Sequence, residues 1–268
     1  MEQASHSAAS APEYVPGHGL LRGRSVLITA AAGKGLGFAA ARRALEEGCR
    51  SLLISDVHER RLAEAVEALK AIAPGTPVAG QMCNVTKEAE VQALLDRADT
   101  ELDGIDVLIN NAGLGGLKPV VEMTDEEWTL VMDVTLNGTF RMTRAALKKM
   151  MPRRKGAIVN NASVLGWRAQ KGQAHYAAAK AGVMALTRCS ALEAAEYGIR
   201  INAVSPSIAM HEFLKRSAPE EVLAGLAKQE AFGRAAEVWE VANVMMFLAS
   251  DYASYMVGEV VSVSNQHA

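Results

Sequence analysis

Residues 25–56 read SVLITAAAGKGLGFAAARRALEEGCRSLLISD. SVLIT (25–29) and SLLIS (51–55) are short, continuous apolar runs, the pattern of strands covered on both faces. Between them AAAGKGLG (30–37) predicts a turn, and FAAARRALEEG (38–48) predicts a helix stopped at Gly48. Gly33, Gly35 and Gly37 permit positive φ and let backbone approach a ligand closely. The helix that follows offers free N–H groups and a positive dipole end, which suits a phosphate. Nineteen positions beyond Gly37, Asp56 ends the second strand, where a carboxylate accepts hydrogen bonds from a ribose diol. The plain alternative for the glycines alone is a tight turn.

The same alternation continues outward. A helix is expected over 58–72, ended by Pro74 and Gly75, then a strand over 77–82 and a helix over 87–102. IDVLIN (105–110) predicts a fourth strand, and Thr124 with Glu127 forms a capping box for one long helix to about Met151. AIVNN (157–161) and IRINAVS (199–205) predict strands flanking an Ala-rich helix that ends at Gly198. A mixed helical insert over 211–232, a helix over 235–250 and a last strand over 258–264 complete the chain. Repeated strand–helix units of this kind predict an α/β, Rossmann-type doubly wound, seven-stranded parallel sheet with helices on both faces. Right-handed crossovers then bring the strand C-termini to one edge, where ligands bind. The expected organisation is a flexible tail over 1–21 and a single domain over 22–268, with a substrate lid at about 207–233. Docking of Tyr14 and Val15 on the domain or on a neighbouring subunit is the alternative for the tail.

Composition narrows the function. Half of the 268 residues are apolar and 22% are charged, as in a water-soluble globular protein with a full core. A net charge of −2 provides no global field for nucleic acid or an anionic membrane. No apolar run reaches the ~18 residues of a membrane span. The N-terminus lacks the basic and apolar regions of a secretory signal. Cys49, Cys83 and Cys189 have no metal-like spacing and suggest no disulfide framework, so a reducing cytoplasm is the simplest compartment. No set of histidines or carboxylates has ligand spacing, and no metal is expected.

Chemistry is concentrated in SVLGWRAQKGQAHYAAAK (163–180). Tyr176 and Lys180 share one helical face at i and i+4, so the ammonium is expected to favour phenolate and lower the phenol's pKa. Ser163, at a strand end, is expected to face the same substrate oxygen. Taken alone, a Tyr-x-x-x-Lys pair is usually an ordinary solvent-exposed helix pair. Asn84 suits either an adenine edge or the cap of its own turn. The glycines of NNAGLGG (110–116) suit a cofactor's middle or simply a loop that needs positive φ. Trp167 and His211 are candidate substrate contacts, while His175, next to Tyr176 on its helix, is expected to face elsewhere. Phe213, Leu214, Lys215, Arg216, Leu223 and Leu226 read either as an apolar lid with basic edges or as residues that pack the insert on the domain.

The glycine turn, Asn110-Asn111-Ala112-Gly113, Ser163 thirteen positions before Tyr176, Tyr176 with Lys180, and Asn202-Ala203-Val204-Ser205-Pro206 together resemble the short-chain dehydrogenase/reductase family from about Arg22 onward. The combination looks most like actinobacterial members associated with acyl-CoA and steroid-ring catabolism. The resemblance implies an NAD(P)-dependent oxidoreductase that interconverts a secondary alcohol and a ketone, commonly a homotetramer or dimer. It implies Tyr176 as acid/base, Lys180 on the nicotinamide ribose and Ser163 orienting the substrate oxygen. Cofactor contacts are expected at Gly33, Lys34, Gly35, Leu36, Gly37, Asp56, Asn84, Val85, Asn111, Ala112, Gly113, Tyr176, Lys180 and Ser207. Asp56 favours NAD over NADP by repelling a 2′-phosphate, while Lys34, Arg60 and Arg61 argue the other way. Several positions depart from the family. Ala30 or Ala31 stands for the first motif glycine, and Thr135 for the Asn that holds a relay water. Ser207 stands for a glycine, and His211 for a Thr that contacts the carboxamide. A non-catalytic NAD(H) sensor on the same fold is the competing reading.

Overall fold

The computed structural model describes residues 9–217 and 220–265. Its main sheet has seven parallel strands: β1 (Ser25–Thr29), β2 (Ser51–Asp56), β3 (Val78–Met82), β4 (Val107–Asn110), β5 (Gly156–Asn161), β6 (Ile199–Pro206) and an edge strand at Val260–Val263. The spatial order is β3-β2-β1-β4-β5-β6, then the edge strand, so the order reverses between β1 and β4. That switch point leaves a crevice at the strand C-termini.

The helices are α1 (Leu36–Glu46), α2 (Glu59–Ile72), α3 (Glu88–Glu101), α4 (Asp125–Met132), α5 (Gly138–Met150) and α6 (Ala174–Ala195). They continue with α7 (Glu212–Ser217), α8 (Glu220–Gln229) and α9 (Val238–Ala249). Alternate strand residues feed two cores. Val26, Ile28, Leu52, Ile54, Val107, Ile109 and Val159 pack with residues of α1, α2 and α9. Leu27, Leu53, Leu108, Ile158 and Ile201 pack with residues of α3, α5 and α6. Both faces are therefore dry, which is why these strands read as unbroken apolar runs. Two short strands, β7 (Ala209–Met210) and β8 (Ala236–Glu237), pair in parallel and close the base of the insert after β6; the edge strand at Val260–Val263 is then β9.

Two expectations change. The single helix over 124–151 is two helices joined by a π turn at Asp133–Asn137, although the Thr124–Glu127 capping box is present. The turn carries the Thr135 hydroxyl to the backbone of Leu114.

Residues 9–21, expected as part of a flexible tail, run along the domain instead, with Tyr14 and Val15 docked on it; residues 1–8 lie outside the described set. The Tyr14 ring meets Trp239 edge-on at 5.3 Å, and its hydroxyl bonds Glu46. Arg43 donates to the carbonyls of Val15 and Pro16. The Glu47 carboxylate, buried beside Arg43 at 2.7 Å, accepts from the backbone of His18 and Leu20. A side chain at Gly17 would overlap the Glu46 carbonyl, so glycine lets this segment lie flat on α1.

In the insert, Leu223 is buried, as the packing alternative required. The expectation for Phe213 and Arg216 falls on side chains outside the described set.

Candidate active site

The glycine turn is held from below by β4. Ala30 adopts φ +51, the left-handed region that favours glycine, at the place of the missing motif glycine. Asn111 compensates: its amide donates to the carbonyls of Thr29 and Ala30 at 3.2 and 3.0 Å. The Thr29 hydroxyl accepts from the backbone of Asn111 and Ala112, both at 3.0 Å. Gly37 is required for close approach, because a methyl there would overlap the Ala30 carbonyl oxygen. Gly33, at φ +99, has open space on its side-chain face, and no side chain caps α1 at Gly35. The turn therefore keeps an uncovered helix N-terminus, which fits a pyrophosphate.

Asp56 is buried at the end of β2. Its carboxylate accepts from Ala32 and His58 N–H, both at 3.1 Å. Burial raises its pKa, against the pull of backbone N–H groups and the Arg61 charge. The Arg61 charge thus acts on Asp56, whereas Arg60 pairs outward with Glu64 at 3.6 Å. Lys34 reaches over the turn to Glu212 of α7 at 3.0 Å.

Ser163, Tyr176 and Lys180 stand across the same edge. Ser163 begins a short 3-10 turn after β5, and its hydroxyl accepts from Leu165 N–H at 3.2 Å. That bond leaves the Ser163 O–H to donate to the Tyr176 phenol oxygen. Lys180 Nζ is buried, lies 5.5 Å from the Tyr176 ring centre and donates to the Asn161 carbonyl. Burial brings the Lys180 pKa down to about 8. Burial also raises the Tyr176 pKa, opposed by the Ser163 hydrogen bond. This corrects the expected lowering by Lys180: without cofactor the surroundings disfavour phenolate and keep the phenol protonated.

A chain of amides links the two halves. Lys180 binds the Asn161 carbonyl, the Asn161 amide donates to Asn111 at 3.1 Å, and Asn111 holds the turn. Glycines 113, 115 and 116 bring the loop after β4 against Lys180, the Tyr176 ring and His175 respectively. His175 is buried under that loop, away from the exposed surface, with its Nδ1 unpartnered among the described residues.

Several expected contacts are placed differently. Asn84 Oδ1 accepts from the Thr86 N–H and hydroxyl at 3.0 and 2.9 Å, which is the turn-capping alternative. The Val85 side chain is buried against Gly138 of α5, and Leu36 packs on the core below the turn. The Thr135 hydroxyl both donates to and accepts from Leu114 backbone, at 3.1 and 2.9 Å. Its only proton is thereby used, so it clamps the loop after β4 and has no donor left for a relay water. Ser207 donates to Glu230 at 3.0 Å. His211 caps α7 by accepting from Leu214 N–H at 3.2 Å and lies 3.9 Å from where a Gly35 side chain would start. It therefore faces the glycine turn, opposite the expected substrate role. Trp167 is half-exposed at the mouth near Ser163.

Sequence reasoning missed Thr29, Asn161 and Glu230. The paired amides of NN before Ser163 were the visible signal for Asn161. Glu230 had none.

Residues 30–265 match the family described as enoyl-(acyl carrier protein) reductase. A Mycobacterium tuberculosis protein named (5R,7aS)-5-hydroxy-7a-methyl-1-oxo-2,3,5,6,7,7a-hexahydro-1H-indene-carboxyl-CoA reductase is 61% identical over 258 residues, 96% of this chain and 98% of that protein. A short chain dehydrogenase from Mycobacterium smegmatis has a crystal structure with TM-score 0.86 and 56% identity, covering 97% of this chain and 99% of that one. An NAD+-bound xylitol dehydrogenase superposes with TM-score 0.87 at 28% identity, covering 92% and 99%.

Proposed function

Since the chain belongs to the short-chain dehydrogenase/reductase family and is an oxidoreductase of secondary alcohols and ketones using NAD(P), we propose that it reduces a ring ketone on a bulky CoA thioester, with NAD(H). The observation that carries this reading is one edge holding Ser163, Tyr176 and Lys180 opposite an uncapped glycine turn. The CoA-linked bicyclic substrate is supported by the 61% identical reductase.

The turn at 33–37 would hold the pyrophosphate, Asp56 the adenosine ribose, and Lys180 the second ribose. The cofactor supplies or takes up a hydride at its nicotinamide. In reduction, Tyr176 gives its phenol proton to the carbonyl oxygen, and the raised phenol pKa keeps that proton in place beforehand. Ser163 turns its O–H from the phenol to the same oxygen and fixes the face presented. Oxidation of an alcohol uses the same groups in reverse, with Tyr176 accepting the proton. A sensor would have no use for a phenol and hydroxyl set beside a buried ammonium.

Asp56 supports NAD over NADP, because a carboxylate at that edge repels a 2′-phosphate. The insert over 207–233 acts as the substrate lid. A dimer or tetramer through α4 and α5, where Trp128, Leu130 and Phe140 are exposed, belongs to the same reading. So does a cytoplasmic setting, supported by three free cysteines. Among the described residues no helix is long and apolar enough to cross a membrane.

The test follows near-ultraviolet absorbance of reduced nicotinamide with NADH or NADPH and a panel of keto-substrates, free and as CoA thioesters. Consumption of NADH with a ring-containing CoA thioester is expected. Tyr176→Phe should abolish it while cofactor binding persists; turnover by this variant would remove Tyr176 from the mechanism.

A further inference from the structure

Glu230 follows α8 and is 7% exposed. Its carboxylate has one hydrogen bond, from the Ser207 hydroxyl at 3.0 Å, and no ion pair among the described residues. Burying a carboxylate is costly unless it is paired or well hydrogen-bonded. The other buried carboxylates obey that rule. Glu47 has Arg43 and two backbone N–H groups. Asp106 has Arg153, Lys155 and Ser25. Asp56 has two backbone N–H groups. Among the described residues Glu230 alone lacks such compensation.

Its position suggests what completes it. Ser207 follows β6, whose Val204 lies beside Asn161 and accepts from Ala162 N–H at 2.8 Å. Asn161 is the residue that holds Lys180. Four residues after Ser207, His211 reaches the glycine turn. The segment 207–211 therefore crosses from the catalytic lysine to the turn. A dinucleotide joining those two places follows the same path, with its nicotinamide at the Ser207 end.

We propose that Glu230 is a cofactor-discriminating residue: its buried carboxylate, held through Ser207, balances the positive charge of the oxidised nicotinamide ring. The reduced ring is neutral and gains nothing from it. The site then binds the oxidised cofactor preferentially, which makes the bound reduced form a stronger hydride donor. This inference rests on the proposed nicotinamide cofactor.

The experiment measures Kd by calorimetry for NAD+, NADH and ADP-ribose, which lacks nicotinamide, on the full chain and on Glu230→Gln and Glu230→Asp. NADP+ and NADPH replace the first two if that pair binds more tightly. Gln keeps the size and an acceptor for Ser207 but removes the charge. It should raise the ratio Kd(NAD+)/Kd(NADH) by about ten-fold and leave ADP-ribose within roughly two-fold. Asp keeps the charge and should hold the ratio near that of the wild type. An unmoved ratio in Glu230→Gln overturns the role of Glu230 alone, as does equal weakening of all three ligands, which is what a mere prop for the insert would give. The wild-type chain supplies a test that needs no variant to fold: its ratio should be below one, and tighter binding of NADH than of NAD+ overturns the proposal. A wild-type chain that binds none of these ligands overturns the cofactor reading and this inference with it.

Discussion

Replacing Gly37 with alanine tests whether the glycine turn depends on close approach of α1 to Ala30 and Asn111, just past the ends of β1 and β4. The new methyl would overlap the Ala30 carbonyl oxygen, stand 2.5 Å from Asn111 Nδ2 and 3.0 Å from the Ala30 carbonyl carbon. None of these is the free end of a flexible side chain. The helix must retreat, or the Asn111–Ala30 hydrogen bond that secures the left-handed Ala30 must break. Overpacking of this kind costs ~1–3 kcal/mol, and a lost hydrogen bond adds ~0.5–1.5 kcal/mol. The gain in helix propensity from Gly to Ala offsets ~0.5–1 kcal/mol of that. The net expectation is a loss of about 1–3 kcal/mol, which in a domain of this size lowers Tm by roughly 3–10 °C. Thermal unfolding by circular dichroism reads the stability, and calorimetry with NAD+ and ADP-ribose reads the turn. Both ligands should weaken by about ten-fold or more, because the helix N-terminus moves off the pyrophosphate. Gly225→Ala is the control: it lies in α8 with nothing within 4 Å, and Tm should stay level or rise. A Gly37→Ala protein with wild-type Tm and wild-type cofactor affinity would refute the close-approach reasoning.

Three other outcomes are expected. Asp56→Ala should erode NAD preference over NADP by about ten-fold or more, since hydrogen bonds to a charged group contribute ~1.5–3 kcal/mol; an unchanged ratio of kcat/KM would show that the ribose is read elsewhere. Thr135→Val removes both bonds to Leu114 and should lower stability by ~1–3 kcal/mol in a melt; a lower kcat with an unchanged melt would point to a relay role instead. Lys180 loses its charge near pH 8 in the folded chain, below its ordinary 10.5, so kcat/KM for ketone reduction should fall above pH about 8. In the same window the unfolded chain binds the extra proton, so this group's contribution to stability rises with pH. A rate profile flat to pH 10 would count against a required ammonium.

Much of the fold is written in local pattern. The apolar runs of β1, β2, β4, β5 and β6 predict their strands to within a residue or two, because strands covered on both faces must be apolar throughout. The glycine turn and the Tyr176–Lys180 spacing are equally local, since a turn needs particular φ values and i, i+4 residues share a helix face. The break between α4 and α5 was not legible, because its partner, the Leu114 backbone, lies twenty-one residues away. The docking of segment 9–21 stood only as the alternative to a flexible tail for a similar reason. Its polar, Pro- and Gly-containing sequence reads as loose, and its order depends on Glu47 and Trp239.

The sequence by itself therefore determined the α/β alternation, the glycine turn and the spacing of Ser163, Tyr176 and Lys180, because each is set by residues close together along the chain. Tertiary structure decided how those groups behave. It half-buries Tyr176 and buries Lys180 so that the phenol pKa rises and the ammonium's falls, opposite to what the pair alone implies for the phenol. It turns Asn84 and Thr135 to neighbouring chain, away from ligand roles. It also sets Glu230 beneath Ser207, twenty-three residues away, past the end of β6. Desolvation and hydrogen bonding over such separations are properties of the packed molecule, and no window of sequence contains them.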